Sequence, residues 1–173
     1  DTSLLQSSLF SKLVAESAHV NAVSVQGYNR LSQAFPQAAE CMSYVYYGLG
    51  PAAHREVEVV PPSFEQPVIL CLGRLIPQKG FDVALKAFAK VESVVPDARL
   101  AIVGEGSEEA TLKRLAAKLG IAMKVDFPGP VPPENVYQVI NTATMLLMPS
   151  RYEGLPLVSL QAAKMQRPII SSD

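Results

Sequence analysis

The chain has 173 residues, enough for one ordinary domain and part of a second, and 49% of them are apolar, which excludes a disordered chain. A formal net charge of −1 without any run of like charges argues against nonspecific nucleic-acid or anionic-membrane binding. No apolar stretch approaches the roughly 20 residues of a spanning helix, and the start at Asp1 carries no signal pattern, so the chain reads as a piece of a longer protein.

In chain order, the spacing predicts a helix near residues 4–18, a short strand at 20–25, a helix near 26–35 and another apolar stretch at 44–47. Residues 48–62 hold two glycines and three prolines and read as a linker. Residues 1–65 are therefore expected to be the tail of an N-terminal domain plus an interdomain linker, with residues 66–173 forming a C-terminal domain that is incomplete at its end. His19 and His54 fall in the first part, where a lone histidine is more often solvated or structural than catalytic.

From Pro67 the pattern becomes regular. Buried strands are predicted at 67–72, 99–103, 124–127, 145–148 and from Pro168. Between them lie amphipathic helices. Phe81, Ala84, Leu85, Phe88 and Val91 recur at helical spacing. Leu112, Leu115, Ala116 and Leu119 form a second stripe, with Ser107 as the expected N-cap and Gly120 as the stop. A third helix over 133–143 should turn Val136, Val139 and Ile140 inward, and a fourth should open at Pro156. Alternating strands and helices of this kind make an α/β fold: a parallel Rossmann-like sheet with helices on both faces. Ligands of such sheets bind at the loops after the strands' carboxyl ends.

Three of those loops carry candidate chemistry. In Gly73-Arg74-Leu75-Ile76-Pro77-Gln78-Lys79-Gly80, two cations bracket a helix start, an arrangement suited to a diphosphate or equally to a solvated basic loop. The second is Val103-Gly104-Glu105-Gly106. A dinucleotide fingerprint fails here, because Glu109 stands where the third glycine belongs and an acidic helix start would repel a pyrophosphate. The third runs from Pro149 to Gln161. Glu153 sits in the loop and Gln161 lies more than one turn into the following helix, whose stretch from Pro156 to Gln161 covers about 8 Å, with the N–H groups of Gly154, Leu157 and Val158 between the two side chains. An acid for sugar hydroxyls, amides for phosphate and an amide side chain for a ribose would make one coherent site; a surface Glu beside a half-buried Gln is the plainer alternative.

Cys41 and Cys71 are the two cysteines, with no CxxC pair and no Cys/His cluster, so no metal site is expected. Cys71, within an apolar run, is expected to act as a small buried hydrophobe. The composition suits a reducing, cytoplasmic setting.

The order GRL-x-PQKG, VGEG, FPGPV, MPS-x-YEGLPLVSLQA and RPII resembles the C-terminal domain of the retaining, group 1 glycosyltransferases of the GT-B fold, from Pro67 to Asp173. Ala22-Val23-Ser24 and Tyr47-Gly48 are similar, more loosely, to the end of that family's N-terminal domain, where Asn usually stands in place of Tyr47. The resemblance implies a nucleoside-diphosphate sugar as donor substrate and no cofactor. It implies that Arg74 and Lys79 bind the donor diphosphate and stabilise the leaving group, and that Glu153 contacts the transferred sugar beside the amides of Gly154 and Leu155. Leu157 and Val158 would offer N–H groups to the phosphates. Gly73, Gly104 and Gly106 would let backbone approach the donor, and the loop ending at Val131 would edge the base. The absence of an Asp-x-Asp motif agrees with metal independence. One departure stands out: the family has a Glu where this chain has Gln161, so the usual ribose contact loses its charge. The isolated chain is expected to be inactive, its acceptor a sugar, lipid or small molecule bound by the missing half, with peripheral membrane contact of the parent open. A nucleotide-sugar epimerase or phosphorylase on the same scaffold, and a non-catalytic nucleotide-sugar-binding module, are the alternatives.

Overall fold

The computed structural model describes residues 8–46, 48–49 and 57–172. Tyr47 and His54 lie outside the described residues. The chain divides into two compact units, residues 1–48 and 49–173.

The first unit pairs two short parallel strands, β1 (Val20–Ala22) and β2 (Met42–Tyr44), with helices α1 (Ser8–Glu16) and α2 (Val25–Ala34). Ser24 caps α2, its hydroxyl accepting from the Gly27 N–H at 3.1 Å. Val14, Phe35 and Met42 are buried together, and exposed His19 bonds the Ser43 hydroxyl.

The second unit is a five-stranded parallel sheet of order β5-β4-β3-β6-β7. Its strands are β3 (Val68–Leu72), β4 (Arg99–Val103), β5 (Val125–Gly129), β6 (Met145–Met148) and β7 (Ile169–Ser171). Helices α3 (Phe81–Glu92) and α4 (Glu109–Lys118) cover one face, where Phe81, Leu85, Phe88 and Leu112 bury against Cys71, Leu100 and Ile102. Helices α5 (Val136–Thr142) and α6 (Leu157–Lys164) cover the other, with Tyr137, Ile140, Ala162 and Met165 against Leu70 and Leu146. From β3 the chain winds one way with its helices on one face, and from β6 the other way with its helices on the opposite face, as crossovers of one hand require. The winding direction therefore reverses between β3 and β6, and the crevice at their carboxyl ends is the natural ligand position.

The expected elements appear with local shifts. Glu108, not Ser107, occupies the N-cap of α4, and no side chain caps it. Its N–H is held instead by the Leu75 carbonyl at 2.9 Å, which ties the helix start to the loop after β3. Pro156 sits one position earlier than expected, as the N-cap of α6. In α5 the buried residues are Tyr137 and Ile140, whereas Val136 and Val139 are only partly covered.

Gly120 ends α4 at φ +75, with the Ile121 N–H returning to the Ala116 carbonyl. The end of α6 has the same geometry, but Gln166 takes the left-handed position at φ +55. That turn aims Arg167 into the domain, where it is 3% exposed. Its guanidinium donates to the carbonyls of Val60, Asn141 and Met165, and to the Asn141 side chain. Asn141 in turn accepts from the Val60 N–H and donates to the Glu58 carbonyl. Residues 57–60, read as linker, are thereby fastened to the sheet domain, with Val57 and Val59 against its core.

Candidate functional site

The crevice at the switch between β3 and β6 is built by two loops, residues 73–80 and 149–156. Glycines let them meet as bare backbone: a Cβ on Gly80 would lie 1.9 Å from the Pro149 carbonyl oxygen, and Gly80 also has φ +65. The Arg151 N–H donates to the Gln78 carbonyl at 2.8 Å, and the Gln78 amide donates to the Tyr152 carbonyl at 3.0 Å. The Arg151 guanidinium reaches the Pro77 carbonyl and forks onto both carboxylate oxygens of Asp82 at 2.9 and 3.0 Å. Burial alone would raise the Asp82 carboxyl, but hydrogen bonds and charge from Arg151 and Lys86 outweigh it and hold the group below the ordinary carboxylate range.

The loop after β4 is fixed in a similar way. A Cβ on Gly104 would fall 1.9 Å from the Gly73 carbonyl oxygen, and one on Gly106 2.4 Å from that of Leu75. Gly106 thus serves loop-to-loop packing. It lines neither hollow of the crevice.

Within this frame the Lys79 ammonium meets the Glu153 carboxylate at 2.5 Å, both side chains being about four-fifths covered. Ser150, itself buried, donates to the same Glu153 oxygen at 2.7 Å and is held by Ser172. Lys79 also lies over Gly73, its Cε within 3.5 Å of where a Cβ would stand. Arg74 is exposed at the mouth.

Two adjoining hollows share Leu72, Gly73 and Arg74. The first, of about 290 Å³, is lined further by Lys79, Val136, Pro156, Leu157, Val158 and Gln161. The first turn of α6 opens into it without a side-chain cap, so its N–H groups and the positive end of its dipole face the two cations' ligand space. The second hollow, of about 260 Å³, is lined further by Val103, Gly104, Glu105, Pro130 and Val131. The fold thus gathers Gly73, Arg74, Lys79, Leu157, Val158 and Gln161 around one hollow, and Gly104 and Val131 around its neighbour. Glu153 joins through Lys79. Gly154 is exposed and Leu155 half-buried, and neither lines a hollow. Leu157 is 45% exposed.

Sequence reasoning missed Ser150, Arg151 and Tyr137. The Tyr137 hydroxyl is buried with the Gln161 side chain as its hydrogen-bonding neighbour; burial raises the phenol and Gln161 partly opposes that rise. Asp126 forms a forked pair with Arg99 at 2.9 and 3.0 Å. Cys71 is fully buried, and burial pushes its thiol far above the ordinary range.

The model of the family described as Glycosyl transferases group 1 matches residues 54–173. The chain is 37% identical over 114 residues to a GDP-mannose-dependent alpha-(1-6)-phosphatidylinositol monomannoside mannosyltransferase of Mycolicibacterium smegmatis, covering 62% of this chain and 30% of that protein. A protein of the same description from Mycobacterium tuberculosis is 32% identical over 168 residues, covering 89% of this chain and 43% of that one. Among solved structures, WaaG, a glycosyltransferase involved in lipopolysaccharide biosynthesis, superposes with a TM-score of 0.77 at 19% identity, covering 95% of this chain and 49% of that one. Anabaena HepE in complex with UDP and glucose gives 0.72 at 20% identity, covering 92% and 45%. The fold is the C-terminal part of GT-B. The chain spans less than half the length of each of these relatives. It belongs to the group 1 glycosyl transferase family.

Proposed function

We propose that this chain is the donor-binding part of a glycosyltransferase that moves a sugar from a nucleoside diphosphate to an acceptor with retention of configuration. The observation that carries the reading is the convergence of Arg74, Lys79 and the uncapped start of α6 on one hollow at the sheet's switch point. Two cations and a row of amides suit a diphosphate, which is also where negative charge develops when the sugar departs.

In this reading the bond from the anomeric carbon to the diphosphate oxygen breaks, and its electron pair leaves with the diphosphate. Arg74, Lys79 and the N–H groups of Leu157 and Val158 stabilise that charge in the role a metal ion serves elsewhere. The oxocarbenium-like sugar stays against Glu153, and the acceptor hydroxyl attacks from the face that the nucleotide has left, passing its proton to the departed diphosphate oxygen on that face. Gln161 contacts the ribose, and the hollow edged by Val131 holds the base. The acceptor, a sugar, a lipid or a small molecule, binds the remainder of the parent protein, so the isolated chain lacks transferase activity. We assign the parent to the cytoplasm, because Cys41 and Cys71 are both free thiols, which suits a reducing compartment. No helix among the described residues is long and apolar enough to cross a membrane.

Calorimetric titration of the chain with UDP, GDP and their sugar conjugates tests the donor site. Binding that Arg74→Ala and Lys79→Ala each weaken at least tenfold is the expected result; indifference to both substitutions would sink the reading. Turnover by the chain alone would overturn the claim of inactivity.

A further inference from the structure

The two groups that hold the Glu153 carboxylate both sit on one of its oxygens. The Lys79 ammonium at 2.5 Å and the Ser150 hydroxyl at 2.7 Å each donate to Oε1, while Oε2 accepts no hydrogen bond among the described residues. A carboxylate oxygen offers about two lone-pair sites, so Oε1 is filled and Oε2 keeps its full accepting capacity. The two donors differ in mobility. Lys79 carries its charge on a flexible four-carbon stem and lines the first hollow, so it can turn from Glu153 to an anion bound there. Ser150 cannot turn. It is 8% exposed, and the backbone around it is fastened. Its own carbonyl accepts from the Ser172 hydroxyl at 2.5 Å, the Pro149 carbonyl lies packed against Gly80, and the Arg151 N–H donates to the Gln78 carbonyl at 2.8 Å.

Glu153 stands in a loop on a side chain with several soft torsions, and the loss of Lys79 alone would leave it to follow the ammonium or to swing into water. A donor anchored through the backbone prevents both. We propose that Ser150 is a positioning residue of the donor site: when the ligand's diphosphate takes Lys79, the Ser150 hydroxyl keeps Oε1 in place, and Oε2 stays ready to accept from a hydroxyl of the transferred sugar. The proposal rests on the donor-site reading above and deepens it. It divides the carboxylate between its two oxygens, one held by the protein and the other left for the ligand. An oxygen that only accepts admits a sugar that carries a free hydroxyl at that position.

The test is calorimetry with two pairs of ligands, UDP with UDP-glucose and GDP with GDP-mannose, read as the ratio of sugar-conjugate affinity to bare-nucleotide affinity. It is run on the chain and on Ser150→Ala, Glu153→Ala, the double variant and Arg74→Ala. Ser150→Ala should lower the ratio about threefold or more, the size of one lost hydrogen bond, for whichever pair the chain binds. Glu153→Ala should lower it at least as far. The double variant should match Glu153→Ala, since the hydroxyl acts through the carboxylate. A purely structural role would lower the thermal midpoint and weaken conjugate and nucleotide alike, and that unchanged ratio overturns the proposal. So does a ratio that Ser150→Ala lowers as much in the Glu153→Ala background as in the unmodified chain. Nucleotide binding that Arg74→Ala abolishes, with a ratio indifferent to Ser150→Ala, overturns it while the donor-site reading survives. A chain that binds none of these ligands overturns both.

Discussion

Lys79 and Glu153 are 74 residues apart in the chain and meet at 2.5 Å across the crevice, with Ser150 bonded to the same carboxylate oxygen. The ion pair ties the loop after β3 to the loop after β6, and it neutralises one of the two cations that a diphosphate would need. A ligand anion must therefore compete with Glu153 for Lys79. Glu153→Gln removes the competitor and one nearby negative charge. It should tighten UDP or GDP binding by about 1 kcal/mol, roughly fivefold, in calorimetry. The same substitution in the full-length parent should lower turnover, because the group proposed to face the sugar loses its charge.

Gly80 and Gly104 give a second test. Each has positive φ, and a methyl group on either would overlap a carbonyl oxygen 1.9 Å away. Gly80→Ala and Gly104→Ala should each cost at least about 2 kcal/mol of stability, read from the urea midpoint, and should weaken nucleotide binding as well. Alanine at Gly120 meets no atom within 4 Å, so it suffers only the strain of φ +75 and should cost about 1 kcal/mol without affecting nucleotide binding.

The Arg151–Asp82 fork makes a pH-dependent contribution. Asp82 is held below its ordinary value in the folded chain, so the stabilisation is complete above the unfolded carboxyl pKa, about 3.9, and is lost as pH falls through the lower folded value. Both side chains are partly exposed, which limits the contribution to about 0.5–1 kcal/mol. Arg151→Met should therefore show a constant deficit in urea melts from pH 5 to 7. The deficit should shrink towards pH 3 as Asp82 protonates in the unmodified protein.

Arg167 pairs with no carboxylate among the described residues; its charge is solvated by carbonyls. Burial lowers its pKa, yet a guanidinium stays charged. Arg167→Met would leave the carbonyls of Val60, Asn141 and Met165 without that donor. The expected cost is about 3 kcal/mol, with faster proteolytic cleavage near Glu58 as residues 57–60 detach. Cleavage at an unchanged rate would show that the segment is held by Val57 and Val59 instead.

The sheet was legible because its inner strands are buried on both faces and so appear as unbroken apolar runs, such as Val68–Leu72 and Met145–Met148. Helix α3 was legible because twelve residues give the 3.6-residue period time to repeat. Seven residues in α5 do not: Ile140 is buried and Val136 and Val139 pack against the core as expected, but the more deeply buried Tyr137 was not singled out. The candidate residues at loop ends could be named because strand ends mark where ligands bind. Their supports could not. Arg151 acts through a partner on another segment, Asp82, and Ser150 matters only because Glu153 also meets Lys79, so no local pattern announces either. The cap of α4 failed for the same reason: a carbonyl of Leu75, 33 residues earlier in the numbering, took the place of the Ser107 side chain.

The backbone contacts at Gly80, Gly104 and Gly106 have a consequence for how such a site can diversify. The outline of the crevice is set by main chain against main chain, which almost every substitution elsewhere leaves in place. The chemistry presented to a ligand is confined to a few side chains on that outline: Arg74, Lys79, Glu105, Val131 and Gln161. Under the proposed function, exchanging a base or a ribose contact takes one or two replacements at the rim and no rebuilding of the loops. A mould fixed in backbone, with its side chains separately replaceable, lets descendants change what the crevice recognises without first losing the crevice.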